Sequence, residues 1–154
     1  MVVRMNTRGS FGIRAALIAI VVVGLAVDAY VHFDLASAFK NVKTSTISEA
    51  DIFRANAVVA ILAALALLVR PNRYTAGFAF LVAAAATVAV LVFRYVNVGK
   101  IGPIPNLYDP FWGPGNEKKL SAVAEAVAAV AALALFATLH SRSRQPVAVS
   151  TSSR

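Results

Sequence analysis

At 154 residues the chain has room for one domain, and its 59% hydrophobic and 14% charged residues contrast with the roughly 25% charged of soluble domains. With a mean hydropathy of +0.72, much of the chain is expected to be solvated by lipid, and the absence of cysteine excludes disulfides, thiolate metal sites and a thiol nucleophile. The net charge of +8 does not indicate nucleic acid, because the Lys and Arg residues stand at the ends of apolar blocks and not along one polar face.

The first apolar block runs from about Ile13 to Phe33, long enough for a helix that needs roughly 20 residues to cross a hydrocarbon layer about 30 Å thick. An alternative takes Arg4 to Arg14 with Ala15 to Val27 as a cleaved signal peptide and Ala36-Ser37-Ala38 as its cleavage site. The apolar stretch exceeds the usual ~7–15 residues of such a segment, so a retained span is preferred. A polar loop rich in Ser and Thr, about Asp34 to Asp51, leads to the second block, Ile52 to Val69, whose start carries Arg54 and Asn56.

Arg70, Pro71, Asn72 and Arg73 then form a tight turn that predicts an antiparallel hairpin with the third block, Tyr74 to Tyr95. Between Ala76 and Val92 the only polar side chain is Thr87, a pattern suited to lipid and not to a soluble amphipathic helix. The long loop from Asn97 to Lys119 is punctuated by Gly and Pro, which rule out a long helix. Its Tyr108, Phe111 and Trp112 suit the headgroup level. The fourth block is Leu120 to Leu139. Small residues recur at packing intervals, as in Ala60 and Ala64, Ala79 and Ala83, and Ala124, Ala128 and Ala132. The fold expected is all-α, one four-helix transmembrane bundle over 1–144, followed by a disordered cytoplasmic tail, 145–154.

Orientation follows from where Lys and Arg flank the spans. Arg4, Arg8, Arg14, Arg70, Arg73, Arg142 and Arg144 share one side if there are four crossings, whereas the lysines opposite them are dispersed through long loops. Both termini are therefore expected in the cytoplasm of a cell-membrane protein and both long loops outside.

Asp28, Arg54, Arg94 and Glu125 are ionisable residues within or at the edges of the blocks. Alternating helix direction brings all four toward one face, with the acids roughly 7–8 Å inside the ends of their spans and the arginines within about 3 Å. Carboxylates at that depth must find donors inside the bundle. The expectation is a neutral cluster of the two acids with Arg54 and Arg94, whose long stems can bend inward, and with Tyr30, His32, Asn56 and Tyr95 as polar neighbours. Such a cluster serves as a registry lock, which is the preferred reading, or as a polar cavity for a small ligand, a proton or a cation.

Asp28 and His32 are four apart and share a helical face. That spacing suits two metal ligands, with Asp34, Glu49, Asp51 or Asp109 completing a shell, and equally an ordinary hydrogen bond. The latter is preferred, and no metal or cofactor is assigned. His140 beside Arg142 needs no function at a helix end. No phosphate loop, catalytic nucleophile motif or metalloprotease motif is present, so an enzyme is not expected.

Asp28-Ala29-Tyr30-Val31-His32-Phe33-Asp34-Leu35 and Ile52-Phe53-Arg54-Ala55-Asn56-Ala57 make the chain resemble a broad group of small four-helix integral membrane proteins of high-GC bacteria with no assigned function. Its members have a histidine leaving the first span and a polar residue entering the second, which His32 and Asn56 match. The resemblance implies architecture and location without chemistry. The role expected is a non-enzymatic accessory or interaction protein of the cell envelope, its partners being the bilayer and either a second copy or an envelope protein. The alternative is a small transporter or ligand-binding membrane protein using the charge cluster.

Overall fold

The computed structural model describes residues 7–113 and 115–142, so the expected tail, Arg4 and Arg144 lie outside the described residues. The architecture is all-helical: α1 Thr7–Ala36, α2 Glu49–Val69, α3 Arg73–Tyr95 and α4 Glu117–Arg142. Each is long and apolar enough to cross a membrane. Three of the four extend beyond their apolar blocks by more than one residue. A block marks only what lipid must solvate, whereas a helix continues until its end groups find other partners.

Those partners are visible at two helix starts. Ser48 caps α2 through a capping box in which the Asp51 amide donates to Ser48 Oγ at 3.2 Å and the Ser48 amide to Asp51 Oδ2 at 3.1 Å. Asn72 caps α3 by accepting from the Tyr74 and Thr75 amides at 2.8 and 3.2 Å. Of the expected turn over Arg70, Pro71, Asn72 and Arg73, the last residue opens α3 and the rest is built around the cap, with Pro71 barring any continuation of α2.

The helices form a ring in chain order, with α4 closing against α1. Packing is extensive along α1/α2, α1/α4 and α3/α4 and sparsest along α2/α3. The centre is lined by small side chains, including Ala60, Ala64, Ala79, Ala83, Ala128 and Ala132, while Leu62, Leu81, Val88, Val123, Val130 and Leu133 point outward. Water would force the opposite arrangement. In lipid the tails are as apolar as leucine, so what drives association is close backbone approach, which small residues allow.

The two long loops meet at one end of the bundle. Thr44 Oγ1 in the first donates to the Pro103 carbonyl in the second at 2.7 Å, and the Asp109 amide donates to the Phe93 carbonyl at 3.0 Å, folding the second loop back over α3.

Candidate functional site

The site begins at a glycine. Gly24 of α1 faces α4, where a Cβ added to it would lie 2.8 Å from both the Ala124 carbonyl oxygen and the Ala128 Cβ. Only a residue with no side chain permits this approach. On the same face of α1, Asp28 and His32 follow at intervals of four. On α4, Ser121 and Glu125 are four apart and Ala128 comes three later. Bringing the two backbones together at Gly24 thus places Asp28 against Ser121 and Glu125, one turn nearer the loops.

Both acids are almost fully buried, Asp28 at 0% and Glu125 at 1% exposed. Each stands eight residues from the loop-side end of its helix, about 12 Å along the axis at 1.5 Å per residue. They are deeper within the helices than the apolar blocks alone indicate. Asp28 Oδ1 lies 2.7 Å from His32 Nδ1 and accepts from Ser121 Oγ at 3.1 Å. Asn56 Nδ2 of α2 donates to Asp28 Oδ2 at 3.3 Å. Ser121 Oγ is also 2.9 Å from Glu125 Oε1. The His32 ring is held edge-on against Phe53, with centroids 5.2 Å apart.

Donors are scarce in this cluster. Ser121 has a single hydroxyl proton and two carboxylate oxygens within reach, so it satisfies one at a time. Glu125 Oε2 is buried and has no hydrogen-bond partner among the described residues. Neither Arg nor Lys pairs with either acid among those residues. Acceptor capacity therefore exceeds donor capacity at a place shielded from water, which favours an added positive or proton-donating group.

The expected pairing with arginines is not what forms. Arg54 is exposed and turns back to Asp51 at 3.3 Å. Arg94 lies over the Tyr95 and Trp112 rings, its guanidinium carbon 5.2 and 5.3 Å from their centroids. Both side chains are long enough to keep their charge near the helix ends, which is less costly than drawing a guanidinium into the bundle. Of the expected neighbours, His32 and Asn56 join the acids, whereas Tyr30 and Tyr95 are 69% and 66% exposed and stand outside the cluster. Nor do Asp34, Glu49, Asp51 or Asp109 complete a shell around Asp28 and His32. Glu125 is the acid that joins them, and one ligand atom from each of the three residues lies within 4.8 Å of the other two. Ser121 and Gly24 were not singled out in the sequence, although each stands four residues before an intramembrane acid on the same helical face.

Above the cluster lies a cavity of about 160 Å³, lined by all four helices and the long second loop. Its walls include Val31, Phe39, Ile52, Phe53, Val90 and Phe93, and His32, Asn56, Ser121 and Glu125 supply a polar floor. Toward the loops it meets Glu49, Asp109 and Lys118. Lys118 Nζ donates to Asp109 Oδ2 at 2.9 Å and to the Asp109 and Phe111 carbonyls at 3.1 and 3.2 Å, which fixes the second loop to the start of α4. Comparison with protein-family models, curated proteins and solved structures finds no match to this chain.

Proposed function

We propose that the protein is a multi-pass protein of the cell membrane that binds a small molecule in the cavity between its helices, with both termini cytoplasmic and the long loops outside. The observation that carries this reading is the composition of the cavity: apolar walls over a floor of four convergent polar side chains, the division characteristic of small-molecule sites. A registry lock needs the polar contacts alone and no space beside them. Apolar cavities of about 150 Å³ hold benzene, so the volume of about 160 Å³ suits a ring or short chain with one polar end directed at the floor.

The test uses 4-fluorobenzyl alcohol as probe and the full chain in lipid nanodiscs. Saturable binding, read by ¹⁹F NMR above the partition into empty nanodiscs, is expected for the wild type. Ala89→Phe, which fills the cavity from α3, is expected to weaken it at least about tenfold, equivalent to ~1.4 kcal/mol. Equal responses from both proteins would overturn the reading.

An accessory role exerted through the loops is the second reading. It is favoured by Phe111, 71% exposed on the second loop, a large apolar side chain available to an envelope partner or a second copy. Recovery of the chain alone, as a monomer, after extraction in mild detergent would count against it.

A further inference from the structure

We infer that Asp28, His32 and Glu125 form a binding site for a divalent first-row transition-metal ion at the floor of the cavity. This deepens the small-molecule reading by naming what the polar end of the occupant would meet, but the ion site stands on its own geometry.

Two observations carry it independently. The first is the convergence of three metal-ligating side chains from two helices, with one ligand atom of each within 4.8 Å of the others. An ion with bonds of ~2.0–2.2 Å to nitrogen and oxygen has ligand atoms roughly 3.0–3.5 Å apart. Asp28 Oδ1 and His32 Nδ1, 2.7 Å apart, would part slightly around an ion, and Glu125, within the 4.8 Å bound and joined to Asp28 through Ser121 Oγ, would draw in. The second observation is Glu125 Oε2, an oxygen of a side chain only 1% exposed and lining the cavity, with no hydrogen-bond partner among the described residues. Asp28 and Glu125 also lie within hydrogen-bond reach of each other, so an ion would take the place of the proton that two facing carboxyl groups otherwise have to share.

The donor set fixes the class of ion. One imidazole and two carboxylates without thiolate suit Zn²⁺, Co²⁺, Mn²⁺ or Fe²⁺, whereas Mg²⁺ and Ca²⁺ favour all-oxygen shells. Three protein ligands leave a coordination position open, and His32 and Glu125 both border the cavity, so that position faces the occupant. His32 Nδ1 would exchange its contact with Asp28 for the ion, its proton moving to Nε2. Asn56 and Ser121 would remain hydrogen-bonded to the carboxylates and hold them in orientation. An occupant meeting the ion would do so through an oxygen or nitrogen lone pair.

The experiment titrates Co²⁺ into the full chain in nanodiscs. Expected is a visible ligand-field band that saturates at about one equivalent, is displaced by Zn²⁺ and is unaffected by excess Mg²⁺. Glu125→Gln and His32→Gln should each weaken binding at least about tenfold, as loss of a ligand requires, while Arg54→Ala and His140→Gln leave it unchanged. With only two histidines in the chain, NMR supplies a readout on the wild type that needs no folded ligand variant. Co²⁺ should shift the His32 ring protons strongly and spare those of His140. No band, a band undiminished in both ligand variants, or unshifted His32 signals would overturn the ion site. Because the band requires no organic molecule, its absence leaves probe capture in the cavity untouched, and Ala89→Phe should lose probe capture while keeping the band.

Discussion

Asp28 is gripped by side chains of three helices, His32 of α1, Asn56 of α2 and Ser121 of α4, so its carboxylate is a junction of the bundle as well as part of the site. Asp28→Ala leaves the Asn56 amide without its acceptor, while Ser121 Oγ keeps Glu125 Oε1 at 2.9 Å and His32 Nδ1 keeps the residue 28 carbonyl at 3.0 Å. The expected cost is about 1–3 kcal/mol, seen as earlier loss of helicity when sodium dodecyl sulfate is titrated into dodecylmaltoside micelles. Arg54→Ala should leave that titration unchanged, because its contact with Asp51 is exposed on both sides. The two acids were legible in the sequence since a short carboxylate this far into an apolar block has nowhere to turn but inward. Of their partners, His32 and Asn56 were legible as well, and Ser121 was not. The rule that charge pairs with charge pointed to Arg54 and Arg94, but long arginines reach the helix ends, and short neutral donors one turn away meet the acids at lower desolvation cost.

Between elements, α1 and α4 decide whether the cluster forms. Gly24→Val places atoms where the Ala124 carbonyl and Ala128 Cβ now lie, at 2.8 Å from the would-be Cβ, and must push the helices apart. Overpacking of this kind costs about 1–3 kcal/mol. Glu125→Ala, which removes bulk without moving either backbone, would not mimic it. The check is a cysteine pair at Val21 of α1 and Ala132 of α4, both buried in the core, whose oxidative cross-linking should slow in Gly24→Val; an unchanged rate would contradict the proposed close approach. The helix count was legible because a run of apolar residues is a local property. The small-residue spacings suited the bundle or a dimer equally in the sequence, and Ala60, Ala79 and Ala128 are buried within the bundle. Gly24 was hidden among valines and alanines because its meaning depends on how α1 is rotated against a helix about a hundred residues later, which no local pattern states.

For the whole molecule, four helices in series return the chain to the side from which it started. Reporter fusions before Thr7 and after Arg142 should therefore report the same compartment, the cytoplasm on the present proposal, and a fusion within the loop near Gly102 the opposite one. Discordant termini would require an odd number of crossings and would separate Asp28 from Glu125 in depth. The cavity could not be read from the sequence, since it arises where four helices fail to fill the space between them, a property of the assembly and of no single segment.

The ring also has an uneven perimeter. α2 and α3 are tethered by the shortest connection yet share the least packing, and cavity-lining residues stand on both, Ile52 and Phe53 on one side and Val90 and Phe93 on the other. Parting a thinly packed pair costs less than parting a dense one. For the proposed occupant, entry and retention would fall to different joints: fluctuation at the α2/α3 margin would widen a route for a solute dissolved in the bilayer, while the glycine-tight junction opposite would keep the acidic groups in register.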